Sequence, residues 1–520
     1  MGIPSYYRTL LLKIPHSIQR SAPQGTGTLV VDMNCMVYHV LKEPSMTQRT
    51  YPGEEGRLAW EKALQREVCT YLTHIWRSSG SPLKVYIALD GVVPYAKIKQ
   101  QRFRRFKSAA ARKSDTWDTN AITPGTAFMA SLAYELRQTG SKYGWILSDT
   151  DEPGEGEHKV LRWLLDPGNA PSAGPIVIYG LDADLILLGL LAGERLGNAH
   201  PIFLLRESQV FGKLVRHSES AQAELGFFNL IELKQTLPGP GESWTTQQLY
   251  DYIFGMSFCG NDFLPTGLSV RIRDDGHSLL LGALHDLWGS GNSLVKMDPV
   301  SLHAKPCSTG LVWISKWFLR QEERLVLGMI RRKRSARHGE VEEDNLPLIE
   351  QAESPLVQIV DGHTVLRRDW KETYSRLALG DSHVEHRKAC VNQFWTGWCW
   401  ILDYYQGLPV DLDWVYANGY PPTWSDLVAF FPLTDKPIEW ECNKEPLTPQ
   451  QQLALVLPLS SWGLLMKTKY RLLPTRLSHF WPQDFHLETF GKRFGWECEP
   501  MIPLFTPARL RYELLGMNPV

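Results

Sequence analysis

Thr28-Leu29-Val30-Val31-Asp32 is an apolar, β-branched run that ends on a carboxylate, and it reads as a buried strand. Three further runs of this kind follow, at Val85 to Leu89, Trp145 to Leu147 and Ile176 to Tyr179. Helix-compatible stretches lie between them, among them Trp60 to Trp76 and Phe128 to Arg137. Strands alternating with helices predict an α/β fold whose mostly parallel central sheet is flanked by helices on both faces.

In such sheets ligands bind outside the carboxyl ends of the strands. Acids stand at those ends here: Asp32 after the first run, Asp90 after the second, and Asp182 and Asp184 after the fourth. A single Asp after a strand is more often a turn former or a helix cap, but several together predict one acidic crevice. Pro153-Gly154-Glu155-Gly156-Glu157-His158-Lys159 adds Glu155 and Glu157 ahead of the amphipathic stretch Val160 to Leu165. Cys259-Gly260-Asn261-Asp262-Phe263-Leu264-Pro265 adds Asp262 in a polar turn. Seven carboxylates in one place repel unless cations neutralise them, and hard oxygen donors select Mg2+ or Mn2+ over zinc. Two such ions roughly 4 Å apart suit in-line hydrolysis of a phosphodiester.

A basic stretch begins just beyond Asp90 and runs from Lys97 to Lys107. At helical spacing Lys97, Gln101, Arg104 and Arg105 share one face, which can grip a phosphate, although a basic helix can also simply face solvent.

The 520 residues carry 55 basic and 56 acidic side chains, so any polyanion-binding surface must come from local clustering. Eight scattered cysteines without a C-x-x-C pair argue against a zinc site or a disulfide framework and fit a reducing compartment. The chain is expected to be intracellular, cytoplasmic rather than nuclear, and free of membrane spans. Its expected organisation is a nuclease core over 1–318, a spacer over 319–385, a mainly helical second region over 386–475, and a segment of unassigned role over 476–520. The spacer carries a charge reversal, from Arg331-Arg332-Lys333-Arg334 to Glu340, Glu342, Glu343 and Asp344. Gln451 to Leu473 reads as one more buried helical stretch.

These motifs together resemble the Xrn family of 5′→3′ exoribonucleases. The resemblance runs through Met1 to Arg8, Asp32-Met33-Asn34, Leu89-Asp90-Gly91-Val92, Lys97 to Phe106, Ile122 to Thr126, Pro153 to Lys159, Tyr179 to Leu185 and Gly260 to Pro265. A later set, Trp400 to Gly407, Tyr420-Pro421-Pro422, Ser425-Asp426-Leu427 and Gln451 to Leu457, is similar to the family's second conserved region. The resemblance implies a compact member consisting of the catalytic region, with a PIN/FEN-like nuclease core. It implies processive hydrolysis of single-stranded RNA from a 5′-monophosphate end, with release of nucleoside 5′-monophosphates. It also implies magnesium held by the seven acids, a phosphate pocket made by Lys97, Gln101, Arg104 and Arg105, and a monomer.

The family stacks the leading base between a histidine and a tryptophan. This chain has Tyr38 at the position matching the histidine, with His39 beside it, and Trp414 as the matching tryptophan. Each of these aromatics can instead be a core-packing residue. Two alternatives stay open: a structure-specific flap nuclease on a similar carboxylate core, and an RNA-binding scaffold with reduced catalysis.

Overall fold

The computed structural model describes residues 2–112, 116–197, 199–210, 213–214, 223–239, 242–334, 354–432, 438–442, 444–466 and 468–515. Its central sheet has seven strands: β1 (Ile18–Gln19), β2 (Thr28–Asp32), β3 (Lys84–Ala88), β4 (Ile146–Ser148), β5 (Ile176–Tyr179), β6 (Ile202–Glu207) and β7 (Leu225–Asn229). They lie in the order β1-β7-β6-β5-β2-β3-β4. The five from β6 to β4 pair in parallel. β7 joins β6 and β1 joins β7 in antiparallel sense, so the sheet is mixed at one edge.

The chain leaves β2 toward β3 and β4, then returns to the other side of β2 to form β5 and β6. The order therefore reverses between β2 and β5, which is where an α/β sheet opens a crevice. Register aligns the strand ends there, with Asp32 beside Ala88 and Val31 beside Tyr179. The acids that follow each strand consequently leave the sheet at one level.

Alternation along β2 sends Leu29 and Val31 to one face and Val30 to the other. Leu29 and Val31 pack with the helices Arg57–Ser78 and Ala127–Ser141 through Leu64, Val68, Leu132 and Leu136. Val30 joins Tyr86, Ile178 and the helices Gly156–Leu165 and Asp184–Leu196. That second cluster runs on without a break into the long helix Val384–Tyr405, whose Trp398 and Trp400 are fully buried. The second region thus shares its core with the sheet.

The basic stretch is a helix, Tyr95–Ala111. Its Tyr95, Ile98, Phe103 and Phe106 form a third cluster with residues from Leu447 to Leu510. Within that part the helix is shorter than expected from Gln451 to Leu473. It spans Pro449–Val456 and stops because Leu457 precedes Pro458 and is held extended, at φ −77 and ψ 133. Short 3-10 turns at Leu459–Leu464 and Thr468–Leu472 replace the rest. The helix Glu322–Arg334 carries the start of the basic run, while residues 335–353, with the charge reversal, lie outside the described residues.

Candidate metal centre

Each acid reaches the crevice by a different local device. Asp32 is the last residue of β2, and Asp90 lies two residues beyond β3. Asp90 Oδ1 accepts from the Gly156 N–H at 2.7 Å, and Oδ2 accepts from the Asn34 amide at 2.8 Å. Asn34 Oδ1 in turn accepts from the Asp90 N–H at 3.2 Å, which locks that carboxylate in orientation. Glu155 caps the helix Gly156–Leu165, with Glu157 in its first turn, where the helix dipole favours negative charge. Gly156 has no room for a side chain: a Cβ there would lie 2.3 Å from Asp32 Oδ1. Asp184 starts the helix Asp184–Leu196, and Gly2 approaches it so closely that a Cβ would meet Asp184 Oδ1 at 2.3 Å. Asp262 comes from the turn after Cys259.

One ammonium stands among these acids. Lys97 Nζ lies 2.6 Å from Glu155 Oε2 and 2.7 Å from Asp262 Oδ2. Burial alone would weaken its hold on the proton, but Asp262, Glu155 and Glu157 reverse that and raise its pKa well above the usual lysine range. Burial, reinforced by the Asp90 and Asp182 carboxylates, pushes Asp32 well up. Burial likewise raises Glu157, with Asp184, Glu155 and Asp182 adding to it. Asp184 is pushed up to about 7 by burial and by Asp262. Asp32, Asp90, Glu155, Glu157 and Asp184 each feel at least one other carboxylate, which is the electrostatic signature of one shared site.

Several buried oxygens in this site have no hydrogen-bond partner among the described residues: Glu157 Oε2 and both carboxylate oxygens of Asp184. Leaving such groups unpaired in the interior is costly. All-oxygen donors with orphaned lone pairs fit a divalent cation of the hard class. Glu155, Glu157 and His158 each also place a ligand atom within 4.8 Å of the others.

Of the residues expected to grip phosphate, Lys97, Gln101 and Arg105 are buried and Arg104 is half-buried. Lys97 is committed to the two carboxylates just described, which places it at the junction of the basic face and the acids. Arg105 Nη1 donates to Asn120 Oδ1 at 3.1 Å. Burial brings the Arg105 pKa down to about 10 against the opposing pull of Tyr38, Asp118 and Asp90. Its Nε and the Gln101 Oε1 are buried without a partner. The remaining cations of the helix face the other way. Lys99 bonds the Tyr416 carbonyl at 2.9 Å, Arg102 bonds the carbonyls of Leu455 and Phe480, and Lys107 bonds that of Cys498 at 2.8 Å. The last part of the chain, to which the sequence assigned no role, thus fastens the back of the basic helix.

The stacking candidates separate. Tyr38 is half-buried beside Arg105. His39 is not brought to the crevice. Its ring is buried, lies 3.0 Å from Glu43 and 3.7 Å from Glu207, and packs on Tyr71 at a centroid distance of 4.6 Å. Neighbouring helical residues diverge by about 100°, so one of the pair must turn inward. Trp414 is half-buried and stacks on Trp400 at 5.2 Å and 25°. Trp400 stacks on Tyr404 at 4.7 Å, and the Tyr404 ring lies 3.8 Å from that of His158. An aromatic ladder therefore leads from Trp414 to the acids.

Three participants were not singled out from the sequence: Asn34, which orients Asp90; His158, whose buried Nε2 has no partner; and Tyr404, whose hydroxyl donates to Glu155. All three lie inside motifs that were noticed, but nothing in their spacing distinguishes a polar contact from packing.

The fold and site define an α/β core of nuclease type with a carboxylate crevice at its switch point. Residues 1–208 match the family model described as XRN 5'-3' exonuclease N-terminus, and residues 333–519 match the Xrn1 helical domain. The chain belongs to the Xrn family. It is 27% identical to 5'-3' exoribonuclease 1 of Homo sapiens, over 98% of this chain and 34% of that protein. It is 25% identical to 5'-3' exoribonuclease 2 of Arabidopsis thaliana, over 98% of this chain and 66% of that protein. For 5'-3' exoribonuclease 1 of Schizosaccharomyces pombe the figures are 24%, 98% and 48%. The chain thus spans between about a third and two thirds of the length of these curated relatives.

Proposed function

We propose that the chain is a 5′→3′ exoribonuclease that hydrolyses single-stranded RNA bearing a 5′-monophosphate and releases nucleoside 5′-monophosphates processively. The observation that carries this reading is Lys97, which joins the face bearing Gln101, Arg104 and Arg105 to the carboxylates of Glu155 and Asp262. A terminal phosphate gripped by that face would lie next to the acids, so the first linkage in the strand is the one presented to them.

Asp32, Asp90, Glu155, Glu157, Asp182, Asp184 and Asp262 would hold Mg2+ or Mn2+, as two ions. When bound, these supply an activated water and charge stabilisation for the leaving oxygen. Asn34 and the Gly156 N–H fix the Asp90 carboxylate, and Tyr404 and Lys97 fix Glu155, so the donors are oriented in advance. Tyr38 and Trp414 are the aromatic faces on which the leading base would stack, a contact worth about 1 to 3 kcal/mol per base. His39, enclosed by Glu43, Glu207 and Tyr71, is set aside from that role. A closed pocket fitted to one phosphate disfavours capped and triphosphorylated ends.

The test is a time course on end-labelled RNAs differing only in their 5′ group, together with a DNA flap, with and without magnesium. Metal-dependent release of mononucleotides from the 5′-monophosphate RNA is expected. Preferential cutting of the flap, or RNA binding without turnover, would replace this reading with one of its two alternatives.

A further inference from the structure

Behind the Asp262 turn lies a cavity of about 470 Å3 to which none of the seven acids contributes. It is lined by the loop from Cys259 to Arg273, by Pro4 and Ser5, and by the segment from Phe490 to Glu499. Two kinds of chemistry meet in it. Tyr374, Tyr420 and Phe490 contribute aromatic rings to the lining, and the two tyrosine hydroxyls are already bonded, to the Pro421 carbonyl and to Glu488. Arg271, Arg273 and Lys492 contribute cations, opposed by Glu497 and Glu499.

These cations are placed rather than scattered. Arg271 donates to the Gly491 carbonyl at 3.3 Å and lies 3.7 Å from Glu497, which pins the loop that carries Lys492. Glu497 is spoken for as well, since its Oε2 accepts the N–H groups of Arg493 at 2.7 Å and Phe494 at 3.2 Å. Lys492 Nζ sits 4.9 Å over the Tyr420 ring and forms no ion pair among the described residues. Burial and the neighbouring Arg271 guanidinium make its charged form harder to hold, a strain that an anion would relieve. The Asn261 side-chain amide, whose Oδ1 accepts from Phe263 and Leu264, leaves a buried Nδ2 in the cavity lining without a partner among the described residues.

We propose that this cavity binds a mononucleotide, with its base against Phe490 and Tyr420 and its single phosphate on Lys492 and Arg271. The volume lies within the ordinary range for small-ligand pockets, about 300 to 1,000 Å3. Aromatic faces suit a base of any sequence, and a slight excess of positive charge suits one phosphate rather than a polymer backbone. The site needs neither metal nor hydrolysis, so it stands or falls separately from the reaction proposed above.

Calorimetric titration of adenosine 5′-monophosphate into the full chain in EDTA tests it, with adenosine, inorganic phosphate and a 5′-phosphorylated oligoadenylate as comparison arms. The mononucleotide is expected to bind saturably and more tightly than adenosine or phosphate, while the oligoadenylate, which reaches the basic helix, should bind independently of Lys492. Adenosine 5′-monophosphate can also enter the phosphate pocket of the basic helix, so Arg104→Ala should weaken one of two binding events and leave the other in place. Lys492→Met should weaken it about tenfold and Lys492→Arg should restore it. Arg271→Gln reads the same contact should the Lys492→Met chain fail to fold. Absence of saturable binding in EDTA, complete loss of binding in Arg104→Ala, or undiminished binding in Lys492→Met, overturns the proposal.

Discussion

The hydroxyl of Tyr404 donates a 2.9 Å hydrogen bond to Oε1 of Glu155, 249 residues earlier in the chain. The other oxygen of Glu155 is held by Lys97. The second region therefore supplies part of the scaffold that orients a carboxylate of the first, and the two cannot be treated as a catalytic part and an accessory one.

Tyr404→Phe removes that donor and keeps the ring that packs on His158 and Trp400. The expected result is a Mn2+ affinity lower by about tenfold, the usual effect of losing a partner that orients a metal ligand. The cost in stability should be only about 1 kcal/mol. Calorimetric titration with Mn2+ reads the first and urea unfolding the second; an unchanged affinity would detach Tyr404 from the site.

Asp184 carries two unpartnered oxygens in a buried, mutually repelling cluster. Metal should accordingly stabilise the parent chain, by about 2.7 kcal/mol at a hundred times its dissociation constant. In Asp184→Ala that gain should shrink sharply, turnover should vanish, and RNA binding should persist. In EDTA the variant should melt no lower than the parent, because one repelling charge is gone. Thermal melts with and without Mg2+ check both points, and equal metal-induced shifts in the two proteins would place the ion elsewhere.

Arg104 lies on the face of the basic helix that carries Gln101 and Arg105, and it is the most accessible of the three. Arg104→Ala should reduce the preference for 5′-monophosphate over 5′-hydroxyl RNA by about 2 kcal/mol, roughly thirtyfold, while changing cleavage of the hydroxyl end far less. Competition between the two labelled RNAs measures it. Retained discrimination moves the phosphate pocket off this helix.

Arg102 points the opposite way and holds the carbonyls of Leu455 and Phe480. Arg102→Met strands one buried and one part-buried acceptor, and the chain should lose about 3 kcal/mol to urea. A loss below about 0.5 kcal/mol, the level of an ordinary surface change, would show that the carbonyls find other partners.

Much of this was legible in the sequence because strand ends and helix faces are periodic. Thr28 to Val31 and Ile176 to Tyr179 read as strands, and the acids beyond them point at one crevice, since register follows from a parallel sheet. The basic helix could be read for the same reason, but only by face: spacing puts Lys97 with Gln101 and Arg104, and does not reveal that its ammonium ends among carboxylates. Tyr38 and His39 show the limit of reading by neighbourhood. Only burial against Tyr71 and Glu207 reveals that His39 turns inward. β6, β7 and β1 escaped notice; β1 is only two residues long, and β7, paired antiparallel on both sides, has no crossover helix to announce it. Tyr404 was invisible as a ligand-orienting group because an aromatic in an apolar helix looks the same whether or not its hydroxyl has a task.

One apolar cluster extends from Val30 and Ile178 on the sheet to Trp398 and Trp424 in the later chain. A polypeptide truncated near residue 318 would bare the flanks of Phe258 and Leu264 to water and should precipitate or stay molten when expressed alone. Shrinking the protein for engineering therefore has to proceed from its loops, and no folded miniature is to be had by cutting between the two halves.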